Sequence, residues 1–186
     1  MQNLVFLPAT APSDETYGSI PIDLPGHDVV IHKVSYPRLV WYNAKVREKA
    51  ITQIRGWNLA PVILIGFSKS GLGAWNITRE MPDLVRATIV FDAPVASVRP
   101  SWDIDAFYAD EASWQEDLPL HTIPAFATAV PAAHRLVLVS GENFHDEMKT
   151  SSDALNDADL AHTFLPRPQL EHHWNSGWIE EALDAL

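Results

Sequence analysis

The chain contains no cysteine. That absence excludes disulfides, a thiolate nucleophile and thiolate metal sites, and it fits residence in the cytoplasm. It also lacks any apolar run near the roughly 18 residues a membrane span requires. The opening MQNLVFLPAT carries no basic n-region of the kind that precedes a secretory signal, and a strand-like run begins at once. Basic residues are scarce as well: 13 Lys and Arg stand against 24 Asp and Glu, a formal net charge of −11. Nucleic acid is a poor partner for such a chain, because binding a polyanion depends on Lys and Arg neutralising phosphates. The same balance disfavours an anionic membrane surface. A solvated acidic surface that keeps the protein dispersed is the simpler reading. Repeats, low-complexity tracts and linkers are absent too, so residues 1–186 read as one domain.

What is present is a hydrophobic content of 47%, including seven Trp and seven Phe, enough for a well-filled core. Short apolar runs alternate with helix-like stretches. Strands are expected at Leu4 to Leu7, Asp28 to Val34, Pro61 to Phe67, Ala87 to Phe91, Leu136 to Ser140 and Ala161 to Leu165. Helices are expected from Asn43, as N-cap, to about Arg55, over Gly71 to Glu80, near Glu147 to Asp157, and from about Asn175 to Leu186. The strands show little polar alternation, the mark of a parallel sheet buried on both faces. The fold class is therefore α/β: a mostly parallel central sheet of about six strands with helices on both faces. Residues 97–131, rich in Trp, Asp and Pro, yield no clean strand and read as a short lid-like insertion.

The sequence PVILIGFSKSGLG, Pro61 to Gly73, carries the chemistry. A buried strand ends at a turn in which Ser68 has small residues, Gly66 and Ser70, two positions away on each side. Small flanks suit a serine on a strained strand-to-helix turn, where bulkier side chains would meet the facing chain. Such a turn lifts the hydroxyl out of the sheet edge as a nucleophile elbow. Helix capping by Ser68 is the plainer alternative, but it does not explain small residues on both sides.

A serine hydroxyl needs a base within hydrogen-bond reach, usually histidine, and a carboxylate to orient that histidine. Here the order is Ser, then acid, then His, all placed after strands, where sites in parallel sheets gather. His27 and His32 precede the serine, while His121 and His134 fall in or just after the insertion. His162 lies within the expected sixth strand. His173 is the first choice of base, with the adjacent His172 as its alternative. For the acid, Asp146 after the fifth strand is preferred over its neighbours Glu142 and Glu147. Asp92, directly after the fourth strand, is the rival. Eight histidines raise the question of a metal, yet no HExxH motif or recognisable ligand spacing occurs, and no metal is assigned. GxxxxGK[ST] and GxGxxG are also missing, so no phosphate-loop or dinucleotide cofactor is expected.

These features resemble the α/β-hydrolase superfamily over nearly the whole chain. Its Gly-x-Ser-x-Gly pattern stands here as Gly66-Phe67-Ser68-Lys69-Ser70, with Ser replacing the last Gly and Gly71 following. The family's N-terminal strand hairpin is missing, making this a trimmed version. The resemblance implies an oxyanion hole from the backbone N–H of Lys69 and one from the loop after the first strand, near Ala9 or Thr10. Pro8-Ala9-Thr10 replaces the His-Gly often found there. The implied activity is serine hydrolysis of a small-molecule carboxylic ester or thioester through an acyl-enzyme on Ser68, without a cofactor. Trp102, Phe107, Tyr108 and Trp114 of the insertion would line an apolar acyl pocket. A non-catalytic relative that binds a small ligand or a partner in the same cleft is the alternative.

Overall fold

The computed structural model describes residues 1–9, 17–35, 41–59, 61–101 and 104–186. Its frame is a six-stranded, wholly parallel sheet: β1 (Gln2–Leu7), β2 (Val29–Lys33), β3 (Val62–Phe67), β4 (Val85–Phe91), β5 (Arg135–Val139) and β6 (Thr163–Leu165). The spatial order is β2-β1-β3-β4-β5-β6. The chain moves outward from β1 to β2 and then returns past β1 to β3, so the strand order reverses beside the strand expected to end in the elbow. In parallel sheets that switch point is where a crevice opens at the carboxyl ends of the strands.

β3 is buried at every position, as its unbroken apolar sequence requires of a central strand covered on both sides. Side chains alternate across it into two cores. Val62 and Leu64 face one cluster, with Ala50 and Ile54 of α1 (Ala44–Gly56), residues of α2 (Lys69–Glu80), Phe126 of α4 (Pro119–Ala129) and Leu155 of α5 (His145–Asp157). Ile63, Ile65 and Phe67 face the other, with Ile20, Leu24, Trp174 and Trp178. Trp178 opens α6 (Trp178–Asp184), while Ile20 and Leu24 belong to the long connection between β1 and β2. The strand and helix assignments read from the sequence hold with small shifts at their ends. Asn43 caps α1 as expected, its Oδ1 accepting from the Val46 N–H at 3.1 Å. His162 lies just outside β6, its ring meeting Ser152 Oγ at 2.7 Å and the Leu160 carbonyl at 2.9 Å.

The expected lid is more firmly built in than its sequence implies. Its described residues, 97–101 and 104–131, include α3 (Glu111–Gln115) and α4. Trp114 is wholly buried, edge-on to Trp41 and Tyr108. Arg47 of α1 reaches Asp117 at 2.6 Å and Glu80 at 2.8 Å, and the Tyr108 hydroxyl donates to Asp117 at 2.8 Å. Burial opposes the charge on Arg47, but the hydrogen bond and charge of Asp117, with help from Glu80 and Tyr108, outweigh it, and its pKa is raised. For Tyr108, burial and then the Asp117 charge push the hydroxyl's pKa well upward, so it remains a donor. Breaking one partner from such a buried set strands the others, which is why it fastens the insertion to α1 and α2.

His134, just before β5, carries a consequence for pH. Its ring is buried, with Nδ1 3.2 Å from the Val85 carbonyl and Nε2 3.2 Å from Thr88 Oγ1. Burial pushes its pKa below the ordinary 6.5, and the Val85 carbonyl only partly offsets this. The folded state therefore holds fewer protons than the unfolded chain as pH falls below 6.5, so this contribution is present above that pH and lost on acidification. Thermal melting between pH 7 and 5 should show a falling Tm whose slope is flatter in His134→Gln; an identical slope would contradict this origin.

Among the described residues no helix is long and apolar enough to cross a membrane.

Candidate active site

Ser68 follows β3 directly and stands at φ 53°, ψ −126°, in left-handed backbone that a serine adopts only under strain. The surroundings hold it there. Its N–H donates to the Phe91 carbonyl of β4 at 3.0 Å, and its carbonyl accepts from Gly71 at 2.9 Å. A Cβ on Gly66 would lie 2.3 Å from the Ser70 carbonyl oxygen, and one on Gly71 would lie 2.5 Å from the Ala93 Cβ. Glycine is thus required at both positions by close approach of chain to chain. Ser70, standing at the second glycine of the Gly-x-Ser-x-Gly pattern, adds to the turn: its Oγ accepts from the Phe67 N–H at 2.9 Å and donates to the Phe67 carbonyl at 2.8 Å. The Ser68 hydroxyl makes no capping bond to α2, so the plainer capping reading does not describe it.

Phe67 and Phe91 are paired in register, so Ser68 and Asp92 leave adjacent strand ends side by side. Asp92 is completely buried and also has positive φ, 38°. Its carboxylate accepts from the N–H groups of Gly141 (2.8 Å), Asn143 (3.1 Å) and Phe144 (2.8 Å), all in the turn after β5. Its Oδ2 also meets His172 Nδ1 at 2.6 Å. A Cβ on Gly141 would lie 2.6 Å from the Asp92 carboxyl, so that glycine makes room for the acid. The Phe67 ring lies 4.4 Å from the His172 ring between centroids, Tyr17 lies 5.3 Å away and Phe144 5.7 Å. His172 is 6% exposed. With Nδ1 bound to the carboxylate, Nε2 is the ring nitrogen left for proton exchange.

The structure thus joins the two residues ranked second and separates the two ranked first. Asp146 sits exposed in the first turn of α5, where its charge suits the positive end of the helix. Glu147 pairs with Ser97 Oγ. His173 turns away from Asp92: its Nδ1 accepts from the Asn175 N–H at 3.1 Å, and its ring packs against Gly18 so closely that a Cβ there would be 2.2 Å away. Gly18, at φ 72°, is glycine for both reasons. His173 therefore fastens the loop after β1 onto the loop after β6, helped by Asn175, which bonds the Ser19 N–H and carbonyl at 3.2 Å each.

Of the expected oxyanion donors, the Lys69 N–H opens α2 at its positive end. The Lys69 side chain is buried with its ammonium 4.8 Å from the centre of the Trp41 ring. Ala9 lies at the end of β1 within the core, and Thr10 falls outside the described residues. Trp102 likewise lies outside them. Tyr108 and Trp114 are core residues, not pocket walls, because their rings are spent on Trp41 and each other. Phe107 is half-buried against the same core, and its carbonyl accepts from Asn43 Nδ2 at 2.8 Å. Among the described residues, no group of three or more His, Asp and Glu side chains is arranged to hold a metal.

No protein-family model matches the sequence, and no curated protein matches it. Solved structures match over the full length. The substrate-bound fluorophosphonate-binding serine hydrolase FphF of Staphylococcus aureus superposes with a TM-score of 0.72 at 15% identity, covering 100% of this chain and 83% of its own. The S-formylglutathione hydrolase FrmB of the same organism gives 0.68 at 12% identity, with 100% and 82% covered. An S-formylglutathione hydrolase of Agrobacterium tumefaciens gives 0.63 at 13%, with 99% and 82% covered. The chain has the α/β-hydrolase fold. Its six strands are all parallel, and the carboxyl end of β1 lies beside that of β3, where Ser68 follows.

Proposed function

We propose that this α/β-hydrolase-fold protein is a serine hydrolase that cleaves a small-molecule carboxylic ester or thioester through an acyl-enzyme on Ser68. The observation that supports it best is the buried 2.6 Å Asp92–His172 bond, set one strand end away from a serine in strained backbone. Asp92 would fix the ring with its proton on Nδ1, leaving Nε2 to act as base. Ser68 Oγ would then attack the acyl carbon as its proton passes to Nε2, and the carbonyl oxygen would gain the negative charge. The Lys69 N–H at the head of α2 would stabilise that charge. Collapse of the intermediate would break the bond to the alcohol or thiol, which takes the proton from Nε2. Water, activated by the same nitrogen, would release the acid and restore Ser68. The ester and thioester range draws on the fold and on the S-formylglutathione hydrolases that share it. Cytoplasmic residence belongs to the same proposal and is supported by the cysteine-free sequence.

The adjacent histidines provide the test. With p-nitrophenyl acetate and butyrate and an acyl thioester as substrates, His172→Ala should lose at least about a thousandfold in kcat/KM, the scale expected for removal of a triad base. His173→Ala should retain turnover within about tenfold, since it acts on loop packing alone. Equal losses in both, or no turnover of any such substrate by the wild type, would reject the assignment.

A further inference from the structure

The turn after β5 does more than hold the acid. Glu142 lies between Gly141 and Asn143, both of which donate their N–H groups to Asp92. Glu142 itself faces the other way: its N–H donates to the Leu170 carbonyl at 2.9 Å, and its Oε1 accepts from the His172 N–H at 3.0 Å. One four-residue turn therefore holds the carboxylate with three main-chain donors and the main chain of its histidine with one carboxylate. The rest of the histidine loop is held from its base. The Arg167 N–H donates to Ser140 Oγ at 2.8 Å, and its guanidinium pairs with Glu181 of α6. Further along, the Trp174 N–H donates to the Tyr17 carbonyl at 2.9 Å, and Ser176 Oγ (3.0 Å) and Trp178 Nε1 (3.2 Å) donate to the His173 carbonyl, while the His172 N–H itself is taken up by the Glu142 carboxylate.

We propose that Glu142 is the positioning residue of His172, setting the height and tilt of the ring so that Nδ1 stays on Asp92 and Nε2 is left to serve Ser68. It touches neither substrate nor reacting atoms in this role. The inference rests on the hydrolase reading for its kinetic consequence but not for its structural one. The geometry accounts for an acidic residue in an exposed turn, where a solvated side chain would be the usual expectation. The function needs only an acceptor oxygen at this place, so glutamine should serve and alanine should not.

Two measurements on the full chain test it. In the first, the His172 Nδ1 proton is followed by NMR in Ser68→Ala protein, a background in which no turnover is needed. That resonance, assigned by its loss in Asp92→Asn, should remain sharp with Glu142→Gln and broaden or shift upfield with Glu142→Ala. In the second, kcat should fall about tenfold in Glu142→Ala with KM changed less than about twofold, and Glu142→Gln should restore it to within about threefold, since one hydrogen bond to a charged group is at stake. An unchanged resonance in Glu142→Ala, or equal losses in the alanine and glutamine variants, would overturn the assignment. A wild type without turnover but with the predicted NMR response would remove the hydrolase reading and leave the positioning role intact.

Discussion

Replacing Asp92 with alanine is expected to destabilise the protein by about 3–5 kcal/mol and to abolish turnover, because a buried charge and its partners are lost together. The N–H groups of Gly141, Asn143 and Phe144 would be left without their acceptor, that of Gly141 in a buried position, and His172 would lose its anchor. Asp92→Asn preserves shape but turns an amide group toward donors; it should cost less stability than alanine yet still lose about a thousandfold or more in kcat, through the wrong ring tautomer. Asp146→Ala is the matched control. That residue is exposed at the start of α5, so its loss should change stability by at most about 0.5–1 kcal/mol and leave kcat within about twofold. Denaturant unfolding and ester turnover read both effects. Comparable losses in Asp92→Ala and Asp146→Ala would contradict the placement of the acid.

Ser68 should behave in the opposite way, with activity and stability uncoupled. Ser68→Ala removes the proposed nucleophile and should lower kcat by about a thousandfold or more with Tm nearly unchanged. Ser68→Gly should abolish activity equally while raising stability by about 1 kcal/mol, because glycine occupies φ 53°, ψ −126° without the strain a Cβ imposes. A more stable, inactive glycine variant is the signature of strain kept for function. A glycine variant less stable than the wild type would show that the backbone at Ser68 is not strained.

The division between what was legible in the sequence and what was not follows the range of the interactions. The strands announce themselves because β3 and its neighbours are buried on both faces and must be apolar throughout. The elbow is legible because its constraint is local: Gly66, Ser70 and Gly71 all lie within three residues of Ser68. The proposed acid is a different matter. Asp92 and Asp146 both follow strands, and what separates them is the turn at Gly141 to Phe144, folded around a carboxylate some fifty residues earlier. Gly141 is the one trace of this in the sequence, a glycine where a strand ends, and its meaning depends on Asp92 filling the space where its side chain would be. His172 and His173 are adjacent, so only the directions of their side chains distinguish them; one faces Asp92, the other Gly18. Two aromatic residues of the segment 97–131 show the same limit. Trp114 and Tyr108 suit an acyl pocket by type, yet Trp114 is buried against Trp41, outside that segment, and Asp117, paired with Arg47, ties Tyr108 into the core.

The proposed function turns on Ser68 as a nucleophile activated by His172 and Asp92. It is tested most directly by labelling with a fluorophosphonate probe and locating the modified residue by peptide mass spectrometry. A single adduct on Ser68 is expected in the wild type and in His173→Ala, with labelling slowed at least about a hundredfold in His172→Ala. No adduct on Ser68, or labelling that survives in His172→Ala and fails in His173→Ala, would contradict it.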